Sequence, residues 1–310
     1  MIRSEPVIVV FGPTAVGKTG FIELLFSRLS NIEIINADSM QVYRYLNVGT
    51  AKPSDQLRER ITHHLIDVVE PTFQFNAGQF VHRAERLLPE IRGRGKTPIL
   101  CGGTAYYLRS FITGLPDSPP GDPSIRRELK RELEDRGVQP LLDELARVDP
   151  RTRARLKDQD TYRIIRALEV YRGSGRPLSS YVNPNKPRQG YVFLLLGLKR
   201  EREQLYTRIG ERVERMFRDG LVEEVKALLR MGFGFEDPGM RGIGYREFFD
   251  LQKGCTTVGG VKEMIKRNSR RYAKRQITFF KSLEGVVWAS PDDLDAASFR
   301  IKEFLADPTS

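Results

Sequence analysis

PVIVVF at residues 6–11 runs straight into GPTAVGKT at 12–19. The second stretch fits G-x-x-x-x-G-K-[ST], and the first is the β-branched apolar run that should precede such a loop. Phe21, Leu24, Leu25 and Leu29 follow at near-helical spacing. Strand, glycine loop, helix is the order in which a backbone cradles phosphate. The glycines let the chain wrap the anion, and successive N–H groups with the helix N-terminus supply positive potential. Gly12, Pro13, Thr14, Ala15, Val16, Gly17, Lys18 and Thr19 form the expected cradle. Lys18 adds a mobile charge, and the Thr19 hydroxyl is placed to reach Mg²⁺. The motif reads phosphate and not the rest of the ligand.

The same alternation continues outward. IEIINAD (32–38), TPILCGG (97–103), YVFLLLGL (191–198) and GVVWAS (285–290) read as further strands, with helical patterns between them. Phe80, Ala84, Leu87, Leu88 and Ile91 give one such helical face. The expected fold class is α/β, a parallel sheet with right-handed crossovers. Residues 117–187 differ. They open on DSPPGDP, close on NPNKP and contain no strand candidate. Leu129, Leu133, Leu141, Leu142 and Leu145 mark helices, and a last amphipathic helix through TYRIIRALEVYRGSG is expected to stop at Gly173. The predicted organisation is a core of 1–116 and 188–310 with a helical insertion at 117–187.

The chain has 310 residues and a net charge of +11. That length buries a full core without metal or disulfide staples. Cys101 and Cys255 fit a reducing compartment and exclude a four-cysteine zinc site, while His63, His64 and His82 leave a mixed site formally open. No run of 18 apolar residues is present, so the expected location is the cytoplasm, with no membrane partner. Within KEMIKRNSRRYAKRQITFFK (262–281), eight basic residues face one acidic residue. The pairs Lys266-Arg267, Arg270-Arg271 and Lys274-Arg275 recur every four residues, a broad basic stripe whose natural counter-surface is a phosphate backbone. Tyr272 and Phe279 within it are core or stacking groups.

In an open parallel sheet the loops at the carboxyl edge share one crevice. Asp38 after the second strand and Gly102-Gly103-Thr104 after the third therefore face the phosphate loop. From the residues alone, Asp38 is a metal ligand, a general base or a helix cap. Arg208, Arg212 and Arg215 share a helix face that is either solvated or a fork for phosphate. The chain lacks the Asp-Glu strand end of a motor ATPase and the N-K-x-D of a guanine reader. Asp67 in HLIDVV is a Walker-B candidate or, equally, a loop carboxylate.

NADSMQVY (36–43), GTAKP (49–53), HHLID (63–67), GGTAYYLRS (102–110), YRIIRALEV (162–170), RGIGYRE (241–247) and AKRQITFF (273–280) accompany the phosphate loop in order. This series resembles the tRNA dimethylallyltransferases, or isopentenyl transferases, over nearly the whole chain. The resemblance implies a P-loop NTPase-like core with a helical insertion. It implies transfer of a dimethylallyl group from its diphosphate to N6 of the adenosine just 3′ of a tRNA anticodon. The loop would then hold diphosphate of the donor instead of ATP.

Carried over, Asp38 is the general base, and Thr14, Lys18, Thr19 and Arg212 hold diphosphate. Thr104 lines the channel where amine and donor meet. Asp38, Ser39, Met40 and Gln41 would touch RNA, as would Thr104, Arg126, and Tyr162, Arg163, Ile164, Ile165 and Arg166. Arg241, Gly242, Ile243, Gly244, Tyr245 and Arg246 complete that set. The expected cofactor is Mg²⁺ and the expected partner the tRNA anticodon stem-loop, with no stable protein partner. Phe279 stands where many members have Trp, and the C-terminal zinc finger of some eukaryotic members is not expected to contribute to RNA grip here.

Chemistry agrees with that implication. An adenine amine is a poor nucleophile that loses a proton as it attacks, which suits a carboxylate. A stacked base must flip out to reach a buried donor. A P-loop kinase would need a second nucleotide or nucleoside site and has no use for a basic helix. A non-catalytic RNA binder would not need a carboxylate aimed at the crevice.

Overall fold

The computed structural model describes residues 5–182 and 184–308. Six parallel strands form one sheet: β1 (Glu5–Phe11), β2 (Ile32–Asn36), β3 (His63–His64), β4 (Thr97–Gly102), β5 (Tyr191–Leu198) and β6 (Val286–Ala289). Their order is β3-β2-β4-β1-β5-β6, so the strand that feeds the phosphate loop is flanked by β4 and β5. Val7, Val9 and Phe11 enter one apolar cluster, and Ile8 and Val10 enter another. A strand buried on both faces needs a continuous β-branched run, which is what residues 7–11 supply. Helices cover both faces.

β2 stops at Asn36 and β4 at Gly102, each short of its sequence-predicted end. β3 was not predicted. Two histidines carry no period, and the strand exists because Ile34 and Ile35 of β2 pair with them.

The chain divides into two compact units, residues 1–112 with 187–310, and residues 113–186. The second unit holds the helices Pro123–Arg136, Gln139–Val148, Pro150–Arg153 and Thr161–Ser174. Leu129, Leu141, Leu142, Leu145, Ile164, Ile165, Ala167 and Leu168 form its core. Asp122 caps the first helix ahead of Pro123, and Asp160 caps the last. That last helix runs through Gly173 and stops at Gly175, whose φ of 70° suits a residue with no Cβ. Gly173 lies inside the helix, where a Cβ would meet Ile125 Cδ1 at 3.4 Å, an ordinary contact, so the position does not demand glycine.

Candidate active site at the carboxyl edge of the sheet

The loops after β1, β2 and β4 meet at one edge and wall a cavity of about 1290 Å³. Lys18 begins the helix Lys18–Arg28, entered through Gly17 at φ 112°. Its Nζ donates to the carbonyls of Gly12 and Pro13 at 2.9 and 3.0 Å, and burial lowers its pKa to about 8. A lysine folded back on its own loop is positioned to swing onto an anion.

Other cations fix the loop from outside. Arg200 Nε donates to Val16 O at 2.8 Å and Arg208 Nε to Ala15 O at 3.0 Å. Arg212 is half-buried, with Nη1 donating to Thr14 Oγ1 at 3.0 Å and Nη2 to Thr50 O at 3.1 Å. Desolvation pulls its pKa down while the nearby Asp38 charge opposes that shift. An incoming anion would relieve the same penalty.

Asp38 follows β2 in a turn, not at a helix. Its Oδ1 accepts from the N–H of Met40 at 2.9 Å and of Gln41 at 3.4 Å, which fixes the carboxylate without consuming Oδ2. Thr104 reaches across from β4: its N–H donates to Ala37 O at 3.0 Å, and its Oγ1 accepts from Ser39 N–H at 2.8 Å. Gly102 permits the approach, since a Cβ would fall 2.3 Å from Ala37 O. Gln41 Nε2 donates to the carbonyls of Thr50 and Ala51, both at 3.2 Å. Phosphate loop and carboxylate thus share one cavity, and Thr104, which does not line it, is bonded to its wall through Ser39.

Ten Arg and Lys residues line that cavity against five Asp and Glu, so its potential favours a polyanion. Thr19 and Asp38 are the oxygen donors beside Lys18. Among the described residues, no three His, Cys, Asp or Glu side chains cluster as a metal site, so the mixed histidine site does not form. That donor set fits Mg²⁺ held largely by phosphate oxygens and water; it does not fit a zinc cage. Asp67 is no free ligand. Lys52 takes its Oδ1 at 2.5 Å and Arg58 its Oδ2 at 2.9 Å.

Several residues read as RNA contacts are differently employed. Ile164 and Ile165 are buried in the helical unit's own core. Tyr245 is fully buried, and its hydroxyl donates to Glu224 Oε1 at 2.7 Å. Gly244 packs against Gly49, and its N–H donates to Glu247 Oε2 at 2.9 Å. Apolar packing and a buried carboxylate explain these positions, which are buried and offer RNA no side-chain surface. Arg241, Gly242, Ile243 and Arg246 line the cavity. In the helical unit, Arg126 stacks its guanidinium 5.1 Å from the half-exposed Tyr162 ring, and Arg163 is exposed. Arg166 is tied down by Glu169 and by the carbonyl of Pro119.

The basic stripe lies on the helix Val258–Phe280 and is not one face. Ser269, Tyr272, Arg275 and Gln276 line the cavity. Arg267, Arg271 and Lys274 are exposed, and at 3.6 residues per turn they point away from Ser269, Tyr272 and Gln276. Lys266 is held by Glu214 and Glu263, both at 2.7 Å. Tyr272, open between core and stacking in the sequence, is a cavity wall; burial pushes its hydroxyl up to about 12.

Two residues escaped the sequence reading. Glu224 accepts the N–H groups of Asn47, Val48 and Gly49 at 2.8, 2.8 and 3.1 Å, pinning the GTAKP loop. Gln276 joins Thr14 to Gly103. Gln276 sits inside a stretch already singled out, but only distant partners give either residue its meaning.

The family model for IPP transferase matches residues 41–283. The chain is 44% identical over 301 residues to tRNA dimethylallyltransferase 2 of Geotalea uraniireducens, covering 96% of this chain and 97% of that protein. It is 42% identical over 300 residues to the tRNA dimethylallyltransferase of Geobacter sulfurreducens, with 96% of each covered. Among solved structures, the full-length tRNA isopentenylpyrophosphate transferase of Bacillus halodurans superposes with a TM-score of 0.70 at 37% identity, covering 98% of this chain and 96% of that one. A eukaryotic dimethylallyltransferase captured acting on tRNA superposes at 0.77 and 28% identity, covering 98% and 80%. With a phosphate loop, a fixed carboxylate and a basic cavity at one sheet edge, the chain belongs to the IPP transferase family, the tRNA dimethylallyltransferases.

Proposed function

We propose that this chain transfers a dimethylallyl group from dimethylallyl diphosphate to N6 of the adenosine 3′-adjacent to a tRNA anticodon, giving N6-isopentenyladenosine and diphosphate. The observation that carries the reading is Asp38, held by its own turn and by Thr104 in the cavity that the phosphate loop opens into.

In this reading Lys18, Thr14 and Arg212 bind the diphosphate, and the charges of Lys18 and Arg212 stabilise it as it leaves. Thr19 would hold Mg²⁺, which would supply further positive charge to the phosphate oxygens. The flipped adenine lies between Asp38 and Thr104. Asp38 Oδ2 takes the N6 proton as the nitrogen–carbon bond forms. Thr104 keeps the Asp38 turn in place through Ser39. Arg241 and Arg246 on the cavity wall, with Arg126, Tyr162 and Arg163 on the helical unit, supply phosphate contacts and a ring for stacking. Among the described residues no helix is long and apolar enough to cross a membrane, and the cytoplasm is the location that a tRNA substrate suits.

Incubation with labelled dimethylallyl diphosphate and unmodified tRNA tests the reading. Label in the RNA, on the adenosine 3′ of the anticodon, is the expected result. No label in the RNA, or label on a different nucleotide, overturns it.

A further inference from the structure

Gln276 is 3% exposed, and both ends of its amide are used. Oε1 accepts from Thr14 N–H at 2.9 Å, and Nε2 donates to Gly103 O at 2.7 Å. The orientation is forced. A backbone N–H can only donate and a carbonyl can only accept, so no flipped amide satisfies both partners. The fit is tight as well, since a Cβ on Gly103 would lie 2.8 Å from Nε2.

The two loops joined in this way hold opposite ends of the reaction. Thr14 carries Arg212 on its hydroxyl, on the diphosphate side. Gly103 precedes Thr104, whose hydroxyl anchors the Asp38 turn on the amine side. The residue that spans them comes from a third element, the helix that also lays Tyr272 and Arg275 along the cavity.

We propose that Gln276 is a positioning residue that sets the separation between diphosphate and amine by bridging Thr14 to Gly103, and that it thereby favours transfer to the amine over capture of the allylic carbon by water. This rests on the transferase reading above. In productive transfer the allylic carbon–oxygen bond breaks with its electron pair leaving on diphosphate. N6 bonds the carbon, and its proton goes to Asp38. With the amine displaced, the same bond breaks and a water oxygen bonds the carbon. The water's proton passes to surrounding solvent, and the products are dimethylallyl alcohol and diphosphate. A misplacement of about 1 Å suffices to lower an aligned displacement ~10²-fold, whereas water needs no alignment with Asp38 and Thr104.

The test measures diphosphate released and dimethylallyl transferred in the same tRNA-containing reaction. The wild-type ratio is expected at one. Gln276→Met keeps the length and removes both hydrogen bonds. Its transfer rate should fall about 10- to 100-fold while the ratio rises to about two or more, with donor and tRNA dissociation constants within about threefold. A defect in folding alone lowers both products together and leaves the ratio at one, so a ratio of one overturns the proposal whatever the rate does. Gln276→Glu keeps the acceptor for Thr14 and sets an acceptor against Gly103 O. It should raise the ratio too, and a ratio of one there overturns the proposal even where the Met variant is unstable. Absence of transfer by the wild-type protein overturns the transferase reading itself and is seen before any variant is made.

Discussion

The phosphate-loop region and the helical unit spend their buried polar groups differently. Around the loops, side chains reach for backbone. Glu224 takes three consecutive N–H groups, Arg200 and Arg208 take loop carbonyls, and Arg212 takes Thr50 O. In the helical unit Arg166 and Asp149 also bond backbone, but the cluster that ties its helices together is side chain to side chain. Arg172 on one helix donates to Glu132 and Glu144 on two others, at 2.5–3.0 Å, over a leucine-rich core. The first pattern fixes where a loop lies, the second how helices face one another. Chemistry needs the former, because a phosphate cradle and a base must hold their places to fractions of an ångström. A surface for RNA backbone needs only its helices in order.

The contrast is sharpest at Asp38. Asp38→Asn keeps an acceptor for Met40 N–H but takes no proton. Single-turnover transfer should fall ~10²–10⁴-fold, with donor and tRNA affinities within a few-fold. A loss smaller than tenfold would put the base elsewhere.

A packing defect should break the other region instead. Ile164→Ala should destabilise the protein by ~2–5 kcal/mol, read by urea unfolding with circular dichroism. Loss of tRNA affinity with stability unchanged would return Ile164 to the RNA surface.

Lys18 links the phosphate region to pH. Its pKa in the free protein is lowered to about 8 by burial, so it loses its proton as pH rises through 8. A bound diphosphate favours the charged form and raises that pKa. Binding therefore takes up a proton above pH 8, and donor affinity should weaken by up to about tenfold per pH unit there. Isothermal titration in buffers of different ionisation enthalpy measures the uptake. Lys18→Met should weaken donor binding and flatten this dependence, and wild-type affinity in it would refute the loop assignment.

The smallest effect belongs to the basic helix. Arg270→Ala with Arg271→Ala should reduce the slope of log tRNA affinity against log salt by about one to two. Donor affinity should hold. Lys266→Ala should leave the slope alone, since its ammonium is already held by Glu214 and Glu263. Equal slopes for wild type and double variant would move the RNA surface to Arg126 and Arg163.

What was legible in the sequence follows the distance over which each feature is decided. The phosphate loop, its strand and its helix are written in consecutive residues. Asp38 and Thr104 were found because the topology of a parallel sheet brings strand ends together. The helix stop is placed at Gly173 in the sequence because two glycines stand near that helix end, and only the left-handed backbone angle at Gly175 tells the stop from a glycine inside the helix. The basic stripe was read as a helix, yet its split into a cavity wall, an outer ridge and a paired lysine depends on neighbours such as Glu214. Glu224 lies 175–177 positions from the backbone it holds, beyond the reach of periodicity.

The bridge at Gln276 also sets a schedule. Thr14 and Gln276 are 262 residues apart, so at ~5–20 residues per second a ribosome needs roughly 13–50 s between making the one and the other. Through that interval the nascent chain carries a complete phosphate motif but not the amide that aligns it with the amine side. Competence arrives with the last helices, and a chain released early would carry the motif without the register that directs the prenyl group to RNA.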